Sequence, residues 1–310
     1  MDLIWIKFFI GLLLLLFSTH SFVMLAEKIS QRFKISPLVV GITVVALGTS
    51  LPELTVSIVS ILKNDTGLAM GNIIGSNIVN VLMVFPVGIL MGNLRIGSTK
   101  TQRNIWLLLG ATMLFFLAGN SGEYRRLFGF ILIVLSFLVS FIEYRLAVSG
   151  RLHEDKKSFI TSKGGDLGVT QFFIGILLIA GIIYGGLLVV TSVEAISLVT
   201  GISTTVLGLT LTAVATSLPE LLTTVFSQKD HQEKLTVGNL IGSNIYNLLL
   251  IGGLIFLFPS NGIVTYAEWL WLALATGAFV SILRHYRGVK PPKYLGLILL
   301  FIFLIYIVTQ

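Results

Sequence analysis

The chain has 310 residues, 55% of them hydrophobic and 11% charged, with a mean hydropathy of +0.95, whereas a soluble domain carries roughly 25% charged residues. That composition excludes a water-soluble enzyme, and the absence of cysteine excludes disulfides, thiolate metal sites, iron–sulfur clusters and cysteine nucleophiles. The net charge of +7 does not indicate nucleic acid, because the basic residues fall in short connections between apolar runs, where membrane topology places them.

A helix needs roughly 20 apolar residues to cross a bilayer. In chain order the apolar runs predict spans at Ile4–Met24, Ser36–Leu62, Leu68–Met91, Ile105–Ala118, Leu127–Ile142, Val169–Thr191, Gly201–Phe226, Leu235–Phe258, Tyr266–Leu283 and Tyr294–Val308. The expected fold is an all-α membrane protein of ten transmembrane helices. Lys7 followed by the run Phe8–Phe17 imitates a secretory signal, but no small-residue cleavage site follows, so it reads as the first span. The fourth, fifth and tenth runs are short and are expected to borrow flanking residues or to thin the lipid. Connections after odd-numbered spans hold 17 of the 21 Lys and Arg residues. This places those connections in the cytoplasm and both termini outside. The connection over residues 145–166, of mixed charge with Gly and Ser, reads as a solvated cytoplasmic linker facing anionic lipid.

GITVVALGTSLPELTVS from Gly41 recurs as GLTLTAVATSLPELLTT from Gly208, and GNIIGSNIVNVL from Gly71 recurs as GNLIGSNIYNLL from Gly238. The offset is 167 residues in both cases, with no gap between the blocks. Each repeat holds five spans, so the second copy enters the membrane from the opposite side, the arrangement of alternating-access transporters. The resulting organisation is a first five-helix repeat over 1–150 with its motif at 41–91, a cytoplasmic linker at 151–168, and a second repeat over 169–310 with its motif at 208–258.

Pro52 and Pro219 sit inside apolar runs, where each removes a backbone donor and clashes with the carbonyl four residues earlier, on Gly48 and Ala215. The second and seventh helices are therefore expected to break there. Carbonyls freed at membrane depth must line a polar cavity or meet a ligand, which nominates Ala46 and Ala213 as backbone oxygen donors. Thr49 and Ser50 share a helix face with Glu53, as Thr216 and Ser217 do with Glu220. Asn72, Ser76 and Asn80, and their counterparts Asn239, Ser243 and Asn247, form polar stripes at four-residue spacing. Gly71 with Gly75, and Gly238 with Gly242, read as packing devices that let a neighbouring backbone approach. Asn77 and Asn244 read as packing groups, and His20 as a bundle or interface residue.

Of the 14 acidic residues, Glu53 and Glu220 alone lie deep inside predicted spans, with no Lys or Arg at mid-span to neutralise them. An unpartnered buried carboxylate costs several kcal/mol, so it is either protonated or holds a cation from solution. The donors near the motifs are carboxylates, hydroxyls, amides and carbonyls, with neither sulfur nor imidazole. This oxygen-only set suits Ca²⁺, which takes about six to eight oxygens. The same cavity could take Na⁺ in smaller subsites, and mutually exclusive occupancy of one charge pair is a mechanism for exchange.

The paired TSLPE and GNxIGSN blocks resemble the alpha repeats of the sodium/calcium exchanger branch of the cation/calcium exchanger superfamily, over the whole ten-helix layout. The resemblance implies that Glu53 and Glu220 are the central cation ligands. It implies further that Thr49, Ser50, Thr216, Ser217 and the carbonyls of Ala46 and Ala213 complete Na⁺ and Ca²⁺ sites. Ser76 and Ser243 would add oxygens, and Asn80 and Asn247 would fall on the remaining positions. Some relatives, including potassium-dependent exchangers, carry an acid where this chain has Asn247, so its neutral amide argues against K⁺ co-transport. Ala215 departs from the Gly expected from Gly48. The resemblance also implies that the first and sixth spans slide against a rigid core. The expected function is a Na⁺/Ca²⁺ antiporter of the cell membrane, monomeric, with no cofactor and no partner beyond its ions and lipid. A Ca²⁺/H⁺ antiporter using the same carboxylates is the nearest alternative. An intramembrane aspartyl protease lacks its acidic motifs here, and a channel with paired half-helices fits poorly with two uncompensated anions.

Overall fold

The computed structural model describes residues 2–32, 46–92, 94, 96, 99–149, 169–229, 233–259 and 264–310. Gly41–Val45 of the first motif and the predicted linker 151–168 lie outside them. Among the described residues every regular element is a helix, without strands. In chain order they form α1 (Asp2–Arg32), α2 (Ala46–Thr49), α3 (Leu51–Leu62), α4 (Thr66–Val79), α5 (Phe85–Leu90), α6 (Thr99–Gly119), α7 (Arg125–Ser149) and α8 (Val169–Thr200). These are followed by α9 (Thr204–Leu207), α10 (Ala213–Thr216), α11 (Leu218–Lys229), α12 (Glu233–Tyr246), α13 (Gly252–Phe256), α14 (Tyr266–His285) and α15 (Lys293–Thr309). Three π-helical turns, Asn80–Val84, Gly208–Thr212 and Asn247–Ile251, join α4 to α5, α9 to α10 and α12 to α13. Seven of the continuous helical stretches are long and apolar enough to cross a membrane, and Leu51–Leu62, Arg103–Gly119 and Lys293–Thr309 are shorter apolar helices.

The element bounds repeat at the spacing of the sequence motifs. Adding 167 to Ala46–Thr49, Leu51–Leu62, Thr66–Val79 and Asn80–Val84 gives the bounds of α10, α11, α12 and the third π-helical turn. The interruptions agree in conformation as well: Ser50 has φ −86°, ψ 5° and Ser217 has φ −82°, ψ 6°. The cause is the proline two residues later, whose missing N–H cannot continue the ladder. The helix restarts beyond it, with Leu54 N donating to Ser50 O at 3.0 Å and Leu221 N to Ser217 O at 3.2 Å. The break is therefore a reorientation of about one residue and not an unwound loop.

Lipid tails are as apolar as leucine, so helices in a bilayer are held by close packing of small residues more than by burial of oil. Two contacts in the structure follow this rule. A Cβ added to Gly71 would lie 2.2 Å from Thr205 O, and one on Gly75 would lie 2.4 Å from Leu209 O. Only glycine lets α4 touch the backbone of α9 and its π-helical turn. On the outside, α1 and α8 pack face to face through Gly11 and Gly185, where an added Cβ would meet Leu188 Cβ at 2.6 Å and Leu15 N at 2.6 Å. Phe8, Leu12 and Leu15 of α1 join Val189, Val190 and Val193 of α8 and Val56 and Val59 of α3 in a cluster of their own. The apolar stretch Thr66–Leu90 is 83% buried, whereas the stretch in Gly122–Glu143 is 17% buried. α4 is thus central, and α7 turns Phe130, Phe137 and Phe141 outward.

Several helix ends differ from the expected spans. The fourth and fifth runs borrow flanking residues as expected, giving α6 21 residues and α7 25. Both extend into polar flanks, where an ion pair between Arg103 and Glu143 joins them. α15 has 17 residues and remains brief. α8 runs nine residues past the predicted Thr191, ending where Gly201 takes φ 75° and its N–H bonds Ser197 O at 2.8 Å. Gly tolerates that left-handed backbone without a Cβ clash. His20 is exposed on α1.

Candidate functional site

The two proline breaks place the motif side chains where α2 and α3 of the first half meet α10 and α11 of the second, flanked by α4 and α12. Glu53 and Glu220 stand in the first turns of α3 and α11 and are fully buried. They are near enough to interact electrostatically. The second half supplies hydroxyls to the first carboxylate: Ser217 Oγ donates to Glu53 Oε1 at 3.5 Å, and Thr216 is also within reach of that side chain. Thr49 of the first half likewise reaches Glu220, whose Oε1 accepts from Ser243 Oγ at 3.2 Å.

Cross-half pairs continue at corresponding positions. Thr49 Oγ1 lies 3.2 Å from Ser243 Oγ, and its counterpart Thr216 Oγ1 lies 3.4 Å from Ser76 Oγ. Thr49 Oγ1 donates to Asn239 Oδ1 at 3.4 Å, and Thr216 Oγ1 to Asn72 Oδ1 at 3.2 Å. Asn80 Nδ2 donates to Asn244 Oδ1 at 3.0 Å, and Asn244 Nδ2 to Asn77 O at 3.5 Å. Asn77 Nδ2 bonds Ile73 O at 2.8 Å on its own helix. This is the packing role expected of Asn77 and Asn244, with Asn244 also orienting Asn80.

Ala213 and Ala46 are placed differently from one another. Ala213 O accepts from Ser217 N at 3.1 Å, so the proline does not free it. The carbonyl deprived by Pro219 is that of Ala215, and a cation at Ala213 O would share an oxygen already in the ladder. Ala46 is the first residue of α2, at the edge of the undescribed stretch 33–45. Asn80 and Asn247 each open a π-helical turn, a feature common at functional sites.

Buried polar atoms in proteins almost always find partners, and here several do not. Glu53 Oε2, Glu220 Oε2, Ser50 Oγ, Asn80 Oδ1 and both amide atoms of Asn247 have no hydrogen-bond partner. Among the described residues the ion pairs are Lys63–Glu194 and Arg103–Glu143, and neither touches Glu53 or Glu220. Glu268, by contrast, accepts from Thr265, and Glu143 and Glu194 have basic partners. No group of three or more His, Cys, Asp and Glu gathers among the described residues. The donors are two carboxylates amid neutral oxygens, an arrangement that can hold Ca²⁺ or smaller sets of Na⁺ but lacks nitrogen or sulfur for transition metals.

Asn72 and Asn239 belong to the polar stripes, and the structure adds them to the residues around the carboxylates. Asn72 Nδ2 contacts Glu53 O and Ser57 Oγ, each at 3.3 Å, while its Oδ1 holds Thr216, so it links a carboxylate helix of one half to a hydroxyl of the other. Their four-residue spacing from Ser76 and Ser243 was the available signal.

Residues 3–145 and 170–310 match the family described as sodium/calcium exchanger protein. The inner membrane protein YrbG of Escherichia coli (strain K12) is 30% identical over 298 residues, covering 94% of this chain and 91% of that protein. The sodium/calcium exchanger MaX1 of Methanosarcina acetivorans is 29% identical over 288 residues, covering 80% and 81%. A solved structure of the sodium-calcium exchanger NCX_Mj soaked with Na⁺ and Sr²⁺ superposes with a TM-score of 0.64 at 27% identity, covering 98% of this chain and 97% of that one.

Proposed function

The chain belongs to the sodium/calcium exchanger protein family, a family of multi-pass membrane transporters, and from that premise we propose that it is a secondary antiporter exchanging Na⁺ for Ca²⁺. The single observation that carries this reading is the pair of fully buried carboxylates, Glu53 and Glu220, each with an unpartnered oxygen and, among the described residues, no ion-pair partner. Two negative charges balance one Ca²⁺ or two Na⁺. Emptied, the pair leaves two anions in a low-dielectric interior, which is costly. The protein therefore changes access when loaded, and loading by one ion from one side is coupled to unloading of the other.

In this reading Glu53 and Glu220 are the central ligands, and Thr49, Ser50, Thr216, Ser217, Ser76 and Ser243 add neutral oxygens. Ala46 and Ala213 offer carbonyls, and Asn80 and Asn247 line the remaining subsites. The two halves, 1–150 and 169–310, are inverted five-helix repeats of a ten-span bundle. Residues 151–168 are a cytoplasmic linker, and both termini lie outside. The recurrence of element bounds at 167 residues and the lopsided basic residues support that layout. The glycine-mediated contact of α1 with α8 suits two helices that move as a pair. Neutral Asn247 supports K⁺-independent exchange.

The test is flux through purified protein in vesicles loaded with Ca²⁺. An imposed Na⁺ gradient should release Ca²⁺ and a K⁺ gradient should not. Release driven by a proton gradient and indifferent to Na⁺ would replace this reading with a Ca²⁺/H⁺ antiporter.

A further inference from the structure

The last helix reaches into the broken helix of the second half at one atom. Tyr306 of α15 is fully buried, and its hydroxyl donates to Leu209 O at 2.8 Å. Leu209 lies in the π-helical turn Gly208–Thr212, whose end is continuous with Ala213, Thr216 and Ser217. The same carbonyl is pressed from the other side by Gly75 of α4, where even a methyl group would sit 2.4 Å away. The π-helical turn is thus clamped between a glycine face and a phenol. The phenol ring is itself held edge-on by Trp271 at 5.4 Å and tilted against Phe303 at 6.3 Å.

The repeat makes this contact one-sided. Subtracting 167 from Tyr306 gives Val139, which has no hydroxyl to offer, while the counterpart of Leu209, at position 42, lies outside the described residues. The repeat that is kept to the residue in α10, α11 and α12 does not extend in sequence to this phenol.

We propose that Tyr306 is a positioning residue for cation binding: its hydroxyl fixes the register of the Gly208–Thr212 turn, and through it the oxygens of Ala213, Thr216 and Ser217 in the second half alone. The inference rests on the assignment of those oxygens to the cation site. Without the hydroxyl, Leu209 O loses a buried donor at the point where Gly75 packs against it. The turn then settles elsewhere, and cation binding must draw it back.

The test compares wild type with Tyr306→Phe, which keeps the ring in place. Ca²⁺ and Na⁺ affinities are measured by equilibrium titration, alongside melting temperature and amide hydrogen exchange of peptides spanning 204–217 and 66–79. The expected result is Ca²⁺ affinity about tenfold weaker, the equivalent of ~1.4 kcal/mol, with faster exchange confined to 204–217. Unchanged affinity, whether with unchanged exchange or with exchange raised evenly along the chain and a lower melting temperature, overturns the proposal. Wild-type protein that shows no Na⁺–Ca²⁺ competition refutes the exchanger reading instead, and the exchange pattern then still reports on whether Tyr306 holds the turn.

Discussion

Replacing Gly75 by Ala tests how tightly the helix bearing Ser76 is locked against the second half. The new Cβ would stand 2.4 Å from Leu209 O, 2.8 Å from Leu209 C and 2.7 Å from Ala213 Cβ. Two of these are backbone atoms, which cannot rotate away. Overpacking of this kind costs about 1–3 kcal/mol, and contact with backbone puts Gly75→Ala toward the upper end. The intrinsic helical gain from Gly to Ala, up to about 1 kcal/mol, offsets part of it, leaving a net loss of about 2 kcal/mol. Gly110 of α6 supplies the control, since it is exposed and an added Cβ meets nothing within 4 Å. There the helical gain stands alone at up to about 1 kcal/mol. The two variants should differ by about 3 kcal/mol, or about 6 °C in melting temperature at roughly 2 °C per kcal/mol for a chain of this size. Scanning fluorimetry in detergent reads this directly. Gly75→Ala should also weaken Ca²⁺ binding, because relief of the clash moves Ala213. Equal melting temperatures for the two variants would refute the close approach of α4 to the π-helical turn.

Glu53→Gln and Glu220→Gln should each abolish Ca²⁺-dependent flux while leaving the protein folded, because a neutral amide in either place relieves an unpaired buried charge as it removes a ligand; retained exchange in either variant contradicts the site. Acid should inhibit exchange, since a proton and a cation compete for the same carboxylate oxygens, so the rate falls as pH falls, and a flat profile between mildly acidic and neutral pH counts against it. Ser50→Ala breaks no protein hydrogen bond, as the buried Ser50 Oγ is unpartnered, so the melting temperature should not fall while Na⁺ affinity drops; loss of stability without loss of affinity would assign Ser50 to structure.

The helical class and the two breaks could be read from the chain because they depend on local chemistry. Apolar runs must satisfy their own backbone in lipid, and Pro52 and Pro219 interrupt that pattern by removing a donor. The repeat spacing then related Ser50 to Ser217 before any coordinates did. What could not be read depended on the relation between distant segments. The clamp on Leu209 needs α4, α15 and the π-helical turn together, and nothing near Tyr306 in sequence announces its partner. The bonds from Thr216 to Asn72 and from Thr49 to Asn239 cross between halves, so spacing placed the asparagines on a stripe without revealing what they hold. The retained hydrogen bond of Ala213 O was missed for another reason. Proline deprives the carbonyl four residues before it, on Ala215, and Ala213 lies beyond that position. The borrowed flanks of α6 and α7 were legible as a need of the short apolar runs, but not the pairing of Arg103 with Glu143 that joins them.

The most direct measurement is a crystal structure of the protein soaked in Sr²⁺, a Ca²⁺ surrogate, with and without excess Na⁺. The account predicts anomalous density within about 2.3–2.6 Å of carboxylate oxygens from both Glu53 and Glu220, the range of Ca²⁺–oxygen bonds, and its disappearance in high Na⁺. Density bound elsewhere, or a lysine or arginine side chain seated between the two carboxylates, would contradict it.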